Sequence, residues 1–389
     1  MNIDKVIINL PSNFNNPSGS DEEYSENENN LENNHSESND DSDEEYVKEL
    51  SQKEKNEIKK KVHELLKDIN SLQNLIEIGD YFNTNNQYFL QCKICEKKDL
   101  FMYRISKINK PLKKLFKLIG MKSVKKTIFY QLMYFLQNLH NGKLDMLHTI
   151  IQGPPGVGKT ELGKILCDLY SSLGVLKNKK YIIAKRSDLI GGYLGQTALK
   201  TQAVIDKAKG GVLFIDEAYS LGDVDKKDSF SKECIDTLNL NLTENKHQMM
   251  CIIAGYKDCL EKSFFSHNEG LKRRFNFCMN IEKYDYKELQ EIFLSKLKDD
   301  EWKMKEPLVK HCPIKFFREN QKYFPFFGGD IENLIFSIKM EHSINLLKKK
   351  RKKKIITIED LNAGFEMYKI NNQKQFLDNK NDSFMKMYI

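Results

Sequence analysis

The 389-residue chain contains no apolar run that approaches the roughly 18 residues of a membrane span, which excludes an ordinary transmembrane helix. Residues 1–13 carry an acid early and only a short apolar stretch, so they make a poor secretory signal. The eight cysteines are scattered along the chain, as in proteins of a reducing compartment. These absences predict a soluble intracellular protein without a membrane partner, and they leave the cytoplasm and the nucleus equally open.

Ligands for a structural metal ion are also scarce. Cys92 and Cys95 form one CxxC pair, and no second pair lies nearby in the sequence. Zinc in structural sites is usually held by four ligands. We therefore interpret the pair as structural or inert.

Charge is distributed unevenly along the chain. Residues 1–46 contain thirteen acids and one lysine, a net charge of −12, so the remainder carries +19. Since this segment has few apolar side chains, it cannot bury enough surface to offset chain entropy. We predict that residues 1–46 form a disordered acidic tail, which either solubilises the chain or competes with anionic partners for its basic body.

The apolar pattern divides the rest of the chain into four parts. Within residues 47–109, the spacing of apolar residues from Val62 to Ile76 predicts an amphipathic helix in residues 47–79, followed over 80–109 by a small β or irregular piece. Residues 110–284 alternate helices with short apolar strands, which predicts a parallel sheet covered by helices. Residues 285–370 predict a helical lid, and 371–389 a C-terminal tail. The five predicted strands are residues 146–152, 181–184, 212–216, 249–255 and 275–281.

A glycine-rich segment carries the strongest chemical signal. Residues 153–160 read GPPGVGKT, the G-x-x-x-x-G-K-[ST] pattern, between a predicted strand and a predicted helix. Backbone N–H groups of such a cradle face the phosphates of a nucleotide, and the helix N-terminus adds a positive dipole. We expect Lys159 to reach the β- and γ-phosphates and Thr160 to bind Mg²⁺ through its hydroxyl. The residues predicted to bind ATP here are Gly153, Pro154, Pro155, Gly156, Val157, Gly158, Lys159 and Thr160.

Two carboxylates follow the third predicted strand. The string VLFIDEAYS at residues 212–220 ends a buried strand with Asp216, 57 residues after Lys159. Beside a phosphate cradle, Asp216 would hold Mg²⁺ through water, and Glu217 would act as the general base on the attacking water. Without the cradle the pair would be an ordinary solvated strand edge.

Together these motifs resemble AAA+ ATPases, and residues 110–370 are similar to the CbbX/CfxQ group, whose relatives include rubisco activases of the red lineage and a sporulation protein. The likeness rests on GGYLGQTALKT, AKGGVLFIDEAYSL and IIAGYKD, and the first 110 residues carry none of it. The resemblance implies a P-loop α/β core with a helical lid. It also implies a hexameric ring whose Mg²⁺-dependent ATP hydrolysis remodels a protein partner.

The same resemblance implies roles for further residues. Ile119 and Gly120 would close over adenine, and Tyr193 between glycines would grip an extended peptide as a pore loop. Arg274, assisted by Arg273, would be an arginine finger for the neighbouring subunit. The residues alone leave an alternative open for each role. Ile119 and Gly120 could be an ordinary helix entry, Tyr193 a buried turn tyrosine, and the two arginines a solvated surface pair.

The chain departs from the AAA+ pattern at two sensor positions. The first sensor strand ends in Gly255 and Tyr256, where many AAA+ proteins have Asn or Thr. Residues 327–333 lack the arginine of the second sensor. Control of hydrolysis by the lid would therefore differ from that in other AAA+ proteins.

Two other functions stay open. The +19 body and the basic run at residues 348–354 are compatible with an ATP-dependent nucleic-acid loader or motor. The missing second sensor is compatible with a nucleotide-gated scaffold that turns ATP over slowly.

Overall fold

The computed structural model describes most of the chain between residues 50 and 372. The described ranges are residues 50–91, 97–139, 147–193, 195–222, 227–305, 308–348 and 353–372. The acidic tail, the Cys92/Cys95 pair, most of the basic run and the C-terminal tail lie outside them. None of the helices within these ranges is long and apolar enough to cross a membrane.

Among the described residues that precede the sheet, all regular elements are helices. They are α1 (Gln52–Lys67), α2 (Leu72–Thr84), α3 (Asn86–Gln91), α4 (Lys97–Lys117) and α5 (Lys122–Leu136). The single helix predicted up to residue 79 is wrong, because the chain breaks after Lys67 and Ser71 caps a new helix by accepting from the Asn74 N–H. The β or irregular interpretation of residues 80–109 is also wrong for the described residues, which are mainly helical.

Helix α4 joins these N-terminal helices to the α/β core. Its buried apolar side chains recur at the helical period and are Met102, Ile105, Ile108, Leu112 and Leu115. They belong to one hydrophobic cluster with residues of α2, α5 and the helix that follows the glycine-rich segment. Residue 110, where the sequence suggested a domain boundary, lies inside α4. The N-terminal helices therefore share a core with the α/β part.

A five-stranded parallel sheet forms the centre, as predicted. Its strands are β1 (Thr149–Gln152), β2 (Tyr181–Ala184), β3 (Val212–Ile215), β4 (Met250–Gly255) and β5 (Phe277–Asn280), in the order β2-β3-β4-β1-β5. In register, Ile150 of β1 lies opposite Ile253 of β4 and Cys278 of β5. Because all five run in one direction, their carboxyl ends meet at one edge, which is where α/β proteins bind ligands.

Helices cover both faces of this sheet. The connecting helices are α6 (Lys159–Ser172), α7 (Arg186–Leu189), α8 (Gln196–Ala208), α9 (Ser229–Glu244), α10 (Lys257–Cys259) and α11 (Glu269–Lys272). One hydrophobic cluster contains buried side chains of α4 and α6. A second contains buried side chains of α8 and α9. This arrangement confirms the predicted covering of the sheet.

The C-terminal part is a helical lid. Its helices are α12 (Tyr286–Asp299), α13 (Leu308–Asn320), α14 (Gly328–Lys348) and α15 (Ile358–Asn371). Two short strands, β6 (Lys303–Met304) and β7 (Ile355–Ile356), pair in parallel within it. The sequence predicted helices only, because two-residue strands are too short to produce an alternating pattern.

A buried histidine links two elements of the α/β core. His148, just before β1, accepts a hydrogen bond from the Cys251 N–H at Nδ1 (3.0 Å). Its Nε2–H therefore donates to the Leu242 carbonyl at 2.9 Å. Burial lowers the pKa of His148 to about 4. The neutral ring thus joins the end of α9 to β4.

We expect this histidine to make the fold acid-sensitive. Between its unfolded pKa near 6.5 and its folded pKa of about 4, the unfolded chain binds the extra proton. The free energy of unfolding should therefore fall by up to about 3 kcal/mol as the pH drops through this window. Urea unfolding between pH 7 and pH 4 would measure it. His148→Asn should flatten this part of the profile, and His63→Asn, at an exposed site on α1, should not. An equal slope in His148→Asn would refute the assignment.

Candidate active site

The glycine-rich segment is held at the carboxyl edge of the sheet. The Gly153 N–H donates to the Gly255 carbonyl at the end of β4 (3.3 Å), and the Ile281 N–H donates to the Gln152 carbonyl at the end of β1 (2.7 Å). Gly158 has a φ of +85°, a conformation that suits glycine, and caps the start of α6. The loop therefore turns directly from β1 into a helix N-terminus, as a phosphate cradle requires.

Lys159 occupies the middle of this site. Its Nζ donates to the carbonyls of Gly153 (3.1 Å) and Pro154 (2.8 Å). The ammonium also lies 5.5 Å from the centroid of the Tyr256 ring. Burial lowers its pKa, and the charges of Asp216 and Glu217 act in the opposite direction. The lysine therefore feels both carboxylates, although they lie far away in sequence.

The two carboxylates lie at the end of β3. Asp216 Oδ1 accepts from the Glu217 N–H at 3.0 Å. Glu217 has a φ of +50°, an unfavourable value for a residue with a side chain. It begins a short 3-10 turn over Ala218–Leu221. Beside it is a cavity of about 410 Å³, lined by Lys185, Arg186, Ser187, Asp216, Glu217 and Ser220.

Two tyrosines complete the surroundings of Glu217. The rings of Tyr219 and Tyr256 are 5.6 Å apart. Burial, followed by the charge of Glu217 and a hydrogen bond with it, raises the pKa of Tyr219 to about 12. Burial and the same carboxylate raise that of Tyr256. Sequence reasoning missed Tyr219, although its place in the string DEAYS, two residues after Glu217, was the available signal.

The segment expected near adenine lies beside the cradle. Gly120 has a φ of +66°, and a Cβ there would lie 3.0 Å from the Tyr284 ring. The Tyr284 hydroxyl donates to the Val157 carbonyl at 2.9 Å. Met121 contacts Gly158 on the other side, since a Cβ at Gly158 would meet its Cε at 3.4 Å. Gly120 therefore approaches the cradle through Tyr284, and Met121 does so directly. Ile119 is partly buried against the larger hydrophobic cluster.

The lid meets the cradle through backbone atoms. The Gly328 N–H at the start of α14 donates to the Gly156 carbonyl at 3.1 Å. Gly156 has a φ of +73°, and a Cβ there would lie only 1.9 Å from the Phe326 carbonyl oxygen. In the stretch without the sensor arginine, Asp330 is buried and accepts from the Phe326 N–H. Glu332 points away and pairs with Lys296.

Arg274 is held within its own subunit. Its Nε donates to the Thr243 hydroxyl at the end of α9 (2.8 Å), and its Nη1 donates to the Gly270 carbonyl (2.7 Å). The neighbouring Arg273 is exposed. Both arginines therefore lie on the side of the core that α9 and α11 form.

Tyr193 protrudes from the loop between α7 and α8. Its side chain is 74% exposed, so it is not the buried turn tyrosine that the residues alone left open. Its carbonyl accepts from the Gln196 N–H at 3.2 Å, and Gly195 follows with a φ of +80°. The ring is free to contact another molecule.

The side chains present suit a magnesium nucleotide. Within the described ranges, no group of three or more His, Cys, Asp and Glu side chains could hold a metal ion by itself. Mg²⁺ bound with a nucleotide usually takes one or two protein ligands and fills its shell with phosphate oxygens and water. Thr160 at the start of α6 and Asp216 at the end of β3 are oxygen donors of this kind.

This arrangement is that of a P-loop ATPase. Residues 149–280 match the family described as ATPase family associated with various cellular activities (AAA). The chain is therefore an ATPase.

Comparison with similar proteins identifies the family within the AAA ATPases. A cfxQ-like protein of Acanthamoeba polyphaga mimivirus is 42% identical over 322 residues, covering 82% of this chain and 76% of that protein. Stage V sporulation protein K of Bacillus subtilis is 36% identical, covering 52% and 68%. The chloroplastic ribulose bisphosphate carboxylase/oxygenase activase of Cyanidioschyzon merolae is 31% identical, covering 54% and 67%. The chain belongs to the CfxQ-like family of AAA ATPases.

The first of these comparisons also corrects one expectation. The sequence suggested that the resemblance is limited to residues 110–370. A match that covers 82% of the chain must extend into the first 110 residues. The N-terminal helices, which share the core of the ATPase part, are therefore at least partly common to both proteins.

We expect Gly156→Ala to separate the lid from the cradle. The added methyl group meets the Phe326 carbonyl and strains a backbone with positive φ. The Kd for a fluorescent ATP analogue should rise roughly tenfold or more, since a tenfold rise corresponds to a loss of only about 1.4 kcal/mol of binding free energy. Gly174→Ala is a matched control, because Gly174 has a φ of +77° but open space around it. Similar Kd values for the two variants would show that the contact has no role in binding.

Proposed function

We propose that this ATPase forms a hexameric ring that binds ATP with Mg²⁺ and uses its hydrolysis to pull on an exposed segment of a protein partner. The observation that carries the proposal is the arrangement around the 410 Å³ cavity. Glu217 and Arg186 both line it, and Arg186 begins the short helix leading to the exposed Tyr193. The cavity lined by Glu217 is thus connected to the exposed Tyr193 through a single four-residue helix, α7.

Hydrolysis would use the residues around Lys159. The backbone N–H groups of residues 153–160 would bind the phosphates, and the ammonium would exchange the carbonyls of Gly153 and Pro154 for phosphate oxygens. Glu217 would accept the proton of the attacking water. The Tyr219 hydroxyl would orient that carboxylate, in agreement with the hydrogen bond between them. Mg²⁺, held by Thr160 and through water by Asp216, would neutralise phosphate charge.

Arg274 would complete the site of a neighbouring subunit, with Arg273 assisting. Its hydrogen bonds to Thr243 and Gly270 fix it on the face formed by α9 and α11. Lys159 and Glu217 of its own subunit lie instead at the carboxyl edge of the sheet. An arginine finger is needed where negative charge develops on the γ-phosphate. A second copy of the chain is therefore the natural target of this face, and repetition of such a head-to-tail contact produces a ring.

The partner would be a protein that presents an extended segment. Tyr193 offers a large ring on a loop with glycines at positions 191, 192 and 195, which suits contacts with many sequences. Among the relatives, one is named as an activase of ribulose bisphosphate carboxylase/oxygenase and another as a sporulation protein. These names differ, so the proposal specifies a class of partner and no single protein.

Mixing two inactive variants would test the ring and the trans arginine. Glu217→Gln removes the base but keeps the finger, and Arg274→Ala does the reverse. Each alone should lose about 100-fold or more in ATPase rate. Mixed rings should regain activity, because an intact cradle and base then face an intact finger. Arg273→Ala mixed with Glu217→Gln shows whether the adjacent arginine shares the role. No recovery in mixtures whose ring assembly is verified by light scattering would contradict a finger acting between subunits.

Stimulation of ATPase activity would test the class of partner. An unstructured protein such as casein should raise the rate, whereas DNA should not. The ratio of stimulated to basal rate should fall to one in Tyr193→Ala and persist in Tyr193→Phe, since the ring and not the hydroxyl makes the contact. Leu199→Ala is a control, because Leu199 is equally exposed on the nearby α8. Stimulation by DNA alone would instead support the nucleic-acid motor.

A further inference from the structure

Arg186 makes an unusually complete set of bonds for a half-buried arginine at the sheet edge. Its Nη1 donates to the Ser220 carbonyl (2.5 Å) and to the Ser231 hydroxyl (3.0 Å). Its Nη2 donates to Asp228 Oδ2 at 2.7 Å. The planar guanidinium can satisfy all three acceptors at once, whereas the point charge of a lysine cannot reproduce this geometry.

One of these acceptors lies on the turn that carries Glu217. The Ser220 N–H donates to the Glu217 carbonyl at 2.8 Å, so the two residues belong to the same tight turn. Arg186 and Glu217 also line the same cavity. A change in the backbone at Glu217 is therefore transmitted to the carbonyl that Arg186 holds.

The other acceptors provide a fixed point. Asp228 caps α9 by accepting from the Phe230 N–H at 3.0 Å. Hydrogen bonds from Ser231 and Arg186 lower its pKa to about 2, although burial opposes them. Asp228 is thus ionised at any ordinary pH, and the ion pair with Arg186 persists.

On the other side, α7 leads to Tyr193 through a segment held by α8. Lys200 Nζ donates to the carbonyls of Ser187 (2.6 Å) and Ile190 (3.0 Å). The Thr201 hydroxyl donates to the Leu189 carbonyl at 2.9 Å, and the Gly191 N–H donates to Thr197 Oγ1 at 3.1 Å. Residues 187–191 therefore move with α8 as one body, and Tyr193 protrudes from the end of that body.

We propose that Arg186 is the positioning residue that couples the state of Glu217 to the position of Tyr193. It connects the turn after the catalytic carboxylate, the capped start of α9 and the first residue of α7. A shift of the Ser220 carbonyl during the ATP cycle would displace the guanidinium, tilt α7 together with α8 and move the exposed ring. The inference rests on the proposed role of Tyr193 and adds the path by which hydrolysis reaches it.

A single tryptophan can report on this coupling in the full chain. Trp302 in the lid is the only native tryptophan. Tyr193→Trp in a Trp302→Phe background therefore gives emission from the loop alone. We expect the emission maximum to differ between ADP and a non-hydrolysable ATP analogue. Adding Arg186→Lys should abolish this difference while binding of a fluorescent ATP analogue persists. Lysine keeps the positive charge and loses only the planar guanidinium that bonds all three acceptors at once.

Two further variants separate coupling from simple stabilisation. Asp228→Asn removes the ion pair but keeps a residue that caps helices well, so it should also abolish the difference. Asp206→Asn breaks an exposed pair with Lys209 on α8 and should leave it intact. Thermal unfolding of each variant identifies any that fail to fold, in which case the other arm of the Arg186–Asp228 pair carries the test.

The outcomes distinguish the coupling role of Arg186 from the proposed movement of the Tyr193 loop. If the parent reporter responds to nucleotide and Arg186→Lys responds equally, the coupling role is refuted and the moving loop stands. If the parent reporter does not respond at all, the nucleotide-driven loop itself is refuted, and the coupling role with it. Loss of the response in both Arg186→Lys and Asp228→Asn, but not in Asp206→Asn, supports the assignment.

Discussion

The half-buried ammonium group of Lys159 is the interaction on which this site depends. A cation removed from water needs oxygen or π partners, and here two carbonyls of the cradle and the Tyr256 ring supply them. The carboxylates Asp216 and Glu217 stabilise its charged form against burial. These groups come from β1, β3 and β4. The neighbouring carboxyl ends of these parallel strands bring the groups to one point.

Communication with the lid takes an unusual form in this chain. Where the AAA+ pattern has a sensor arginine, α14 begins with Gly328 and Gly329, and the Gly328 N–H bonds the Gly156 carbonyl. Asp330 is turned into the lid and Glu332 pairs with Lys296. Backbone contact thus replaces a long cationic side chain. In the proposed mechanism the arginine would instead come from Arg274 of a neighbouring subunit, on a different face of the molecule.

Sequence patterns predicted the parts whose signal is local. The parallel sheet and the helical lid came from runs of apolar residues, and the cradle was proposed from glycine spacing. Other features failed for identifiable reasons. The break at Ser71 follows a polar stretch that the spacing of Leu65, Ile69 and Leu72 masks. Aromatic residues and Pro111 hid the helical period of α4. Arg186 shows no local signal, because its partners Ser220 and Asp228 lie more than 30 residues away. Tyr219 has only its spacing from Glu217 as a signal, and its contact with Tyr256 is a distant one.

The contact between Gly156 and Gly328 also affects how motion can spread. Two side chains in contact can absorb a small displacement by changing rotamer. Two peptide groups joined by one hydrogen bond have no such freedom. A displacement of α14 by even a fraction of an ångström at this point would therefore shift the peptide group between Gly156 and Val157. The adjacent backbone amides are those expected to face a phosphate. The lid and the glycine-rich loop are thus in direct backbone contact, and a displacement at either glycine is expected to reach the other without an intervening side chain.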